Sequence, residues 1–303
     1  MKNTNVLYAH EVSFKGFEQL EVEIDPEHKA VWLYFNAEPR SCFTLTLLNE
    51  LDRFQEMIKQ REGRLPWNGE LVDIEYNVIT SRHSVFSFGG DLDYFIQCIE
   101  KNDRQSLKQY AKACIDAIYY HHIGREVGLT TISLVHGNAL GGGFEAALSS
   151  NVIVAERSAE MGLPEILFNL FPGMGAFNLL SQRVSAKEAE KMMLSGRLYT
   201  AEEMYYKGIV DHLVEDGLGR ETINSIIRGN AKHKNAIDAI RHVRQMSNPI
   251  DYDLLMEIAD LWVESAFRLS DKDKRVMKRL VNSQVRFAEN TNPPAASALR
   301  VAQ

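Results

Sequence analysis

The sequence predicts an α/β fold, with a core of alternating strands and helices followed by a region of helices alone. Short β-branched apolar runs, such as Thr130–Val135, have the length and composition of buried strands. Segments between these runs carry apolar residues at helical spacing, and only helical spacing is found after residue 218. We therefore expect residues 1–218 to form an α/β core with an N-terminal extension, and residues 219–303 to form a C-terminal helical region.

The elements before the centre of the chain are predicted from apolar periodicity and turn residues. Alternating or continuous apolar runs predict strands at 20–24, 29–36 and 71–80, with Pro26 in the turn of a hairpin. Helical spacing of leucines and other apolar residues predicts helices at 44–62, 92–100 and 104–122. The strand at 71–80 leads into Phe88-Gly89-Gly90-Asp91, which has the form of a strand end followed by a glycine turn.

The central stretch, residues 136–145, joins the strand Thr130–Val135 to a predicted helix through Gly141, Gly142 and Gly143. The first backbone N–H groups of a helix have no partner within it, and the helix dipole favours negative charge there. Glu145 lies in the first turn, beside these donors. An oxyanion site next to a carboxylate is the arrangement that enolate or acyl chemistry requires.

The second half of the core supplies another carboxylate, Glu165, in a turn 20 residues after Glu145. A further glycine turn, Phe171-Pro172-Gly173-Met174-Gly175, precedes a predicted helix. The other expected elements are strands at 152–155 and 209–214, and helices at 185–195, 200–207, 219–232, 235–246, 251–269 and 271–289.

Composition excludes several classes of function. A formal net charge of −7 argues against general nucleic-acid binding, and no apolar run reaches the length of a membrane span. The three cysteines and nine histidines have no metal-ligand spacing, so we expect no metal site and no cofactor. Scattered, odd-numbered cysteines and the absence of a secretory signal at the N-terminus lead us to expect a cytoplasmic protein.

These motifs, taken in order, resemble the crotonase (enoyl-CoA hydratase/isomerase) superfamily over about residues 20–270. Five motifs in the same order carry the resemblance. They are residues 88–91, residues 138–145, Leu163-Pro164-Glu165-Ile166-Leu167, residues 171–175, and Leu194-Ser195-Gly196-Arg197 with the downstream Gly208-Ile209-Val210-Asp211. It implies repeated ββα units in two nearly perpendicular sheets, with C-terminal helices that mediate homo-oligomers, most often trimers. It also implies an acyl thioester substrate whose enolate or tetrahedral oxyanion is held by two backbone N–H groups.

Residue by residue, the resemblance assigns the oxyanion N–H groups to Phe88 and Gly142 and the catalytic carboxylates to Glu145 and Glu165. Which glutamate is acid and which is base stays open. The remaining substrate-binding residues that it implies are Gly89 and Gly141 beside the thioester, and Met174, Trp262 and Leu280 in an apolar pocket for the acyl chain.

Within the superfamily, the sequence is similar to the diffusible-signal-factor synthases of quorum-sensing bacteria, through residues 61–69, 87–92, 115–120 and 169–176. That branch implies dehydration of a 3-hydroxyacyl thioester on acyl carrier protein to the cis-2-enoyl form, then hydrolysis to the free acid. It also implies control by the receiver domain of a sensor kinase. Phe88 in place of a small residue, and residues 39–43 in place of Asn-Ala-Leu, fit a carrier-protein substrate better than coenzyme A.

Two other functions remain open from the sequence. One is an enoyl-CoA hydratase acting on trans-2-enoyl-CoA, and the other is a crotonase-fold binding module without catalysis. Retention of both Glu145 and Glu165 argues against the binding module. A basic segment near the end of the chain is a candidate surface for an acidic carrier protein, with solvent exposure as the alternative explanation; it contains Lys272, Lys274, Arg275, Lys278 and Arg279.

Overall fold

The computed structural model describes residues 16–291, so most of the expected N-terminal extension and the end of the tail lie outside the described residues. A six-stranded sheet has the order β1-β2-β5-β6-β8-β11, in which β1 and β2 are antiparallel and the other neighbours are parallel. The strands are β1 Leu20–Asp25, β2 Ala30–Phe35, β3 Arg64–Trp67, β4 Glu70–Asp73, β5 Tyr76–Ser81, β6 Thr130–Val135, β7 Ala139–Leu140, β8 Val152–Glu156, β9 Glu160–Gly162, β10 Leu198–Thr200 and β11 His212–Val214.

Helices connect many of the strands, and in the C-terminal region the described residues, 219–291, contain helices and no strand. Two short 3-10 segments cover Gly124–Glu126 and Glu165–Phe168. The α-helices are α1 Leu45–Gln60, α2 Leu92–Glu100, α3 Arg104–His122, α4 Gly142–Leu148, α5 Ala176–Ser181, α6 Ala186–Ser195, α7 Ala201–Tyr206, α8 Gly219–Ala231, α9 Lys234–Ser247, α10 Tyr252–Ala266 and α11 Asp271–Thr291.

A second layer of short extended segments follows the ends of the long strands. Strands β7, β9 and β10 form a three-stranded sheet, and single bridges of Ser87 to Ala139 and of Phe43 to Gly90 continue this layer. Strands β2, β5 and β6 each lead into a short extended segment and then an α-helix, and β8 leads through β9 into the 3-10 segment Glu165–Phe168. This pattern confirms the predicted α/β fold of ββα units in two sheets with a C-terminal helical region.

Strands β2, β5, β6 and β8 are buried on both faces, as their nearly continuous apolar sequences predict. In β2, Val31 and Leu33 face the main core, whereas Trp32 faces a second cluster that α8 closes with Ile223 and Ile227. Full burial of each such side chain contributes roughly 1.5–3 kcal/mol. This packing fixes the ends of the parallel strands, from which the motif loops project.

The segment predicted as one strand over 71–80 instead contains most of two strands, β4 and β5, and β4 forms a hairpin with β3, a strand that was not predicted. Asn68 and Gly69 both have positive φ angles, 49° and 83°, and form the two-residue turn of this hairpin. Such turns favour Asn-Gly because both central residues need positive φ. The strand predicted at 209–214 is also shorter, since only His212–Val214 pairs with β8.

The C-terminal helices pack onto the core beside the motif loops. Helix α10 contacts α3, and α11 contacts α2 and the 3-10 segment Glu165–Phe168. In the described part of the chain, no helix is long and apolar enough to cross a membrane.

Candidate active site

Glu145 is fixed inside the protein by the start of a neighbouring helix. It lies in the first turn of α4 and is only 1% exposed. Its Oε1 atom accepts hydrogen bonds from the backbone N–H groups of Met174 at 2.8 Å and Ala176 at 3.0 Å. Ala176 begins α5, so the positive end of that helix dipole faces the carboxyl group. The side chain therefore has one defined position in the core.

Glu165 reaches the same site from the other side, at the start of the 3-10 segment that follows β9. A Cβ atom on Gly141 would collide with Glu165 Oε1, so glycine is required for this approach. The Gly141 φ angle of 53° also favours glycine. Although the residue is partly exposed, its Oε2 atom is buried and has no hydrogen-bond partner among the described residues. A buried, unpartnered carboxyl oxygen is available to a reacting group.

Burial changes the protonation of both carboxyl groups. Desolvation raises the pKa of Glu165 to about 7. Desolvation also raises the pKa of Glu145 well above its usual value, and the negative charge of Glu165 raises it further, against the two backbone hydrogen bonds that favour the charged form. The pair thus keeps at least one proton near neutral pH. One site then holds both a proton donor and a proton acceptor.

The assignment of an oxyanion donor to Phe88 is wrong, because its backbone N–H already donates to the Ser41 carbonyl at 2.7 Å. The Gly89 N–H likewise donates to Ser87 Oγ at 3.1 Å. The N–H of Gly90 has no acceptor among the described residues, and Gly90 lines the cavity described below. The backbone therefore leaves Gly90, two residues after Phe88, as the donor on this loop.

Within residues 16–291, the N–H group of Gly142 is the second at this site without an acceptor, as its position at the predicted start of a helix leads us to expect. Gly142 is the first residue of α4, and no side chain caps this helix. The two donors are close, since a Cβ atom on Gly142 would lie 3.3 Å from the Gly90 nitrogen. Two convergent backbone donors of this kind form a site for a developing oxyanion.

A cavity of about 240 Å³ connects the glutamates and the two glycines. The predicted residues Gly141, Met174, Trp262 and Leu280 lie in its wall, whereas Gly89 does not. Its lining is Phe88, Gly90, Leu92, Phe95, Tyr110, Ala111, Cys114, Leu140, Gly141, Gly142, Glu145, Pro164, Glu165, Leu167, Phe168, Leu170, Gly173, Met174, Gly196, Leu198, Trp262, Leu280 and Gln284. Most of this wall is apolar, which suits a hydrocarbon chain.

Exposure distinguishes the two ends of the cavity. Tyr110, Ala111 and Cys114, all from α3, are buried and form a closed end. Leu167 is 58% exposed and marks the open end. The Phe88 side chain is partly exposed and meets Phe287 of α11 edge-on, with ring centroids 5.7 Å apart. Phe88 therefore contributes its ring to the site, although its N–H group is occupied.

Arg40 and Gln284 are functional candidates that the sequence reasoning missed. The Arg40 side chain is 8% exposed, forms an ion pair with Asp91 at 2.7 Å and donates to Gln284 Oε1 at 3.4 Å. Because arginine can only donate, the Gln284 oxygen faces Arg40 and its NH₂ group is left for the cavity. A buried charge requires a partner, but Arg40 and Gln284 are 244 residues apart, so no local pattern signals the contact.

Two further features of the sequence are its possible metal ligands and the basic segment of α11. The described residues contain no group of three or more His, Cys, Asp or Glu side chains that would hold a metal ion. In the basic segment of α11, Lys274 pairs with Asp271 at 2.7 Å and Lys278 with Glu100 at 2.8 Å.

Comparison with known proteins places the chain in a family. Residues 73–294 match the family model described as enoyl-CoA hydratase/isomerase. Among curated proteins, the mevalonyl-coenzyme A hydratase SIDH of Beauveria bassiana is 43% identical over 86 residues, 28% of this chain and 31% of that protein. The 2,3-dehydroadipyl-CoA hydratase of Escherichia coli is 34% identical over 120 residues, 39% and 47% of the two chains. The chain thus spans less than half the length of these relatives.

Solved structures share the fold across nearly their whole length. An enoyl-CoA hydratase from Bacillus halodurans has a TM-score of 0.70 and 18% identity, covering 86% of this chain and 99% of that one. DspI of Pseudomonas aeruginosa has a TM-score of 0.66 and 23% identity, covering 90% and 98%. Because the family match extends over more than half of its residues, the chain belongs to the enoyl-CoA hydratase/isomerase family of the crotonase superfamily.

Proposed function

We propose that the protein removes or adds water across the C2–C3 bond of an acyl thioester. The observation that carries this proposal is a pair of glutamates in one largely apolar cavity, beside two backbone N–H groups without an acceptor among the described residues. Glu145 is buried, and Glu165 directs into the site a buried Oε2 atom that has no partner within residues 16–291. A single acid–base residue suffices to move a proton within a substrate. Two carboxyl groups with opposite protonation states suit the simultaneous handling of a carbon-bound proton and a water molecule.

In the dehydration direction, the thioester oxygen would lie between the N–H groups of Gly90 and Gly142. The ionised glutamate takes the proton from C2, and the negative charge moves to the thioester oxygen. The protonated glutamate then gives its proton to the C3 hydroxyl as the C3–O bond breaks, which forms the C2=C3 bond and releases water. Each preorganised donor contributes about 3 kcal/mol to such an intermediate in comparable oxyanion holes.

The substrate that fits this cavity is an acyl chain of medium length. The reacting carbons lie beside the glutamates, and the chain would extend to the closed end at Tyr110, Ala111 and Cys114. The carrier arm would leave through the open end, past Phe88 and Gln284. Because most of the wall is apolar, the site favours a hydrocarbon chain over a polar acyl group.

The finer form of the proposal is synthesis of a cis-2-unsaturated fatty acid signal from 3-hydroxyacyl-acyl carrier protein. It is supported by the sequence similarity to diffusible-signal-factor synthases. In the second step, one glutamate would take a proton from a water molecule that attacks the thioester carbonyl, and the same N–H groups would hold the tetrahedral oxyanion. Breakage of the C–S bond would then release the free acid, with the proton passed to the departing carrier thiol. The basic segment of α11 supports an acidic carrier protein as partner. On this proposal, a sensor-kinase receiver domain remains a candidate regulator.

Self-association is part of the proposal. The exposed apolar side chains Ile240, Val243 and Met246 lie on one helix, α9, which buries none of its residues. Such a surface on an isolated chain supports an oligomer, with a trimer as the expected assembly.

The test uses purified protein and 3-hydroxydodecanoyl-acyl carrier protein, with the acyl products followed by mass spectrometry and chromatography. Release of free cis-2-enoic acid, lost in Glu145→Gln and Glu165→Gln, supports the finer proposal. Hydration of trans-2-enoyl-CoA without release of acid supports the hydratase alone. Glu160→Gln, which changes an exposed glutamate close to the site in sequence, is the matched control. No turnover of either thioester contradicts both and favours a binding module.

A further inference from the structure

A second cavity, of about 140 Å³, shares no lining residue with the catalytic cavity. It lies where the ends of three helices of the core meet the side of α9. His122 ends α3, Ser150 lies just after α4, and Gln182 follows the last residue of α5. The full lining is His122, Ser150, Asn151, Gln182, Ile240, Arg241, Arg244, Gln245 and Asn248. Eight of these nine side chains are polar, and none is a carboxylate, which distinguishes this cavity from an ordinary packing defect.

The two arginines of this cavity differ in their contacts with acidic side chains. Arg244 has no ion pair and no side-chain hydrogen bond within the described residues. Arg241 hydrogen-bonds to Thr130 Oγ1 and has Asp238 at 3.6 Å. The neighbouring Arg183 forms an ion pair with Asp211 at 3.0 Å and donates hydrogen bonds to the backbone carbonyl oxygens of Ile209 and Ser150. Arg244, an exposed residue that lines the cavity, thus has a guanidinium group without an ion pair within the part of the chain that the structure describes.

The electrostatic environment of the arginines also favours a bound anion. Partial burial of the guanidinium group lowers the pKa of Arg244, and the positive charge of Arg183 lowers it further, against the smaller opposing effect of Asp211. Burial also lowers the pKa of Arg241. Holding these positive charges together costs free energy that a bound anion would offset.

Neutral groups complete the set of donors. Asn151 Oδ1 accepts from the backbone N–H of Thr131 at 2.9 Å and from its hydroxyl at 3.1 Å, so the Asn151 NH₂ group is directed away from Thr131. His122 donates from Nδ1 to the Ser149 carbonyl at 3.2 Å, and burial lowers its pKa to about 4, so it is neutral near pH 7. The charge available to a ligand therefore comes from the arginines.

We propose that this cavity binds a phosphate group, with Arg244 as the main contact and Arg241 and Asn151 as further donors. Guanidinium and amide N–H groups are the donors that recognise phosphate oxygens. A water molecule takes roughly 30 Å³ in the liquid, so the cavity has room for a group of about five non-hydrogen atoms. A whole nucleotide is too large and would enter by its phosphate alone.

Isothermal titration calorimetry of the full chain with inorganic phosphate tests this inference directly. Wild type should bind phosphate, with affinity that falls as sodium chloride is added. Arg244→Gln should weaken binding at least about tenfold, the loss typical of a charged hydrogen bond. Lys234→Gln removes the same charge from the same helix but lies outside the cavity, and it should leave binding unchanged.

The phosphate group could be a free ion or part of a larger ligand, and titration with adenosine 3′,5′-bisphosphate distinguishes these two sources. If it binds more tightly than inorganic phosphate and loses this affinity in Arg244→Gln, the phosphate belongs to a larger ligand. Equal or weaker binding assigns the site to the free ion. Absence of phosphate binding to folded wild type, or equal binding to wild type and Arg244→Gln, overturns the proposal. It is also overturned if phosphate has no effect and light scattering shows that Arg244→Gln dissociates an oligomer, because the cavity is then an interface.

Discussion

Glu145 Oε1 accepts a hydrogen bond from the backbone N–H of Ala176, 3.0 Å away at the first residue of α5. The catalytic candidate is therefore also a structural tie between α4 and α5. A substitution at this position has to keep an acceptor if its effect on chemistry is to be separated from its effect on folding. Glutamine meets this requirement, since its carbonyl oxygen replaces Oε1 and its NH₂ group cannot transfer a proton as a carboxyl group does.

We expect Glu145→Gln to keep the melting temperature of wild type within a few degrees and to lower kcat about 10²- to 10⁴-fold, the contribution typical of one acid–base group. Steady-state turnover and thermal unfolding measure the two effects. Glu160→Gln, on the exposed side of β9, should change neither. A Glu145→Gln protein with wild-type turnover would remove Glu145 from the mechanism.

The raised pKa of Glu165 predicts a pH dependence of both activity and stability. The folded pKa is about 7 and the usual value is 4.5, so folding takes up a proton between these two pH values. Stability should therefore fall as pH rises from about 4.5 to 7, because the unfolded chain then binds fewer protons than the folded one. Activity that needs the ionised form should rise over the upper part of the same range.

Urea unfolding between pH 5 and 8, compared for wild type and Glu165→Gln, measures this dependence. The variant cannot ionise at position 165 and should lose part of the decline in stability. The remaining decline comes from Glu145, whose pKa is also raised by burial. If both proteins show the same pH profile, Glu165 is not a buried titrating group in solution.

Gln284 should affect substrate affinity more than the rate of the chemical step. Gln284→Glu keeps an oxygen for Arg40 and so preserves the contact of α11, but it removes the NH₂ donor from the cavity wall. We expect KM to rise about two- to tenfold with kcat nearly unchanged, the loss of one neutral hydrogen bond. Gln284→Leu loses the Arg40 contact as well and should also lower the melting temperature. A lowered kcat with unchanged KM in Gln284→Glu would contradict a role in binding.

Sequence reasoning found the parts of the site that depend on local structure. Glu145 and Glu165 each follow a short strand and a turn, and Gly142 is free because it begins a helix. The oxyanion donor on the loop 88–91 was assigned to Phe88 instead of Gly90. The local sequence does not show that the Phe88 N–H group donates to the carbonyl of the distant Ser41. The closed end of the cavity was missed for a related reason. Helical spacing marks Tyr110 and Cys114 as buried without showing whether they face the core or a cavity.

The closed end of the cavity should set the preferred chain length. Ala111 is 8% exposed and lines that end, so the larger side chain in Ala111→Leu would occupy space available to the end of an acyl chain. Each methylene excluded from an apolar site costs about 0.8 kcal/mol. We therefore expect kcat/KM for 3-hydroxydodecanoyl thioesters to fall at least about tenfold relative to 3-hydroxyoctanoyl thioesters.

Ala113→Leu is the matched control, because Ala113 lies on the same helix but not in the cavity wall. This variant should keep the wild-type ratio of the two substrates. A competition assay with both thioesters in one reaction measures the ratio directly and does not depend on enzyme concentration. An unchanged ratio in a folded Ala111→Leu protein would mean that the acyl chain does not reach α3. The chain would then have to follow Leu167 and Leu280 towards the open end, and the carrier arm would need another exit.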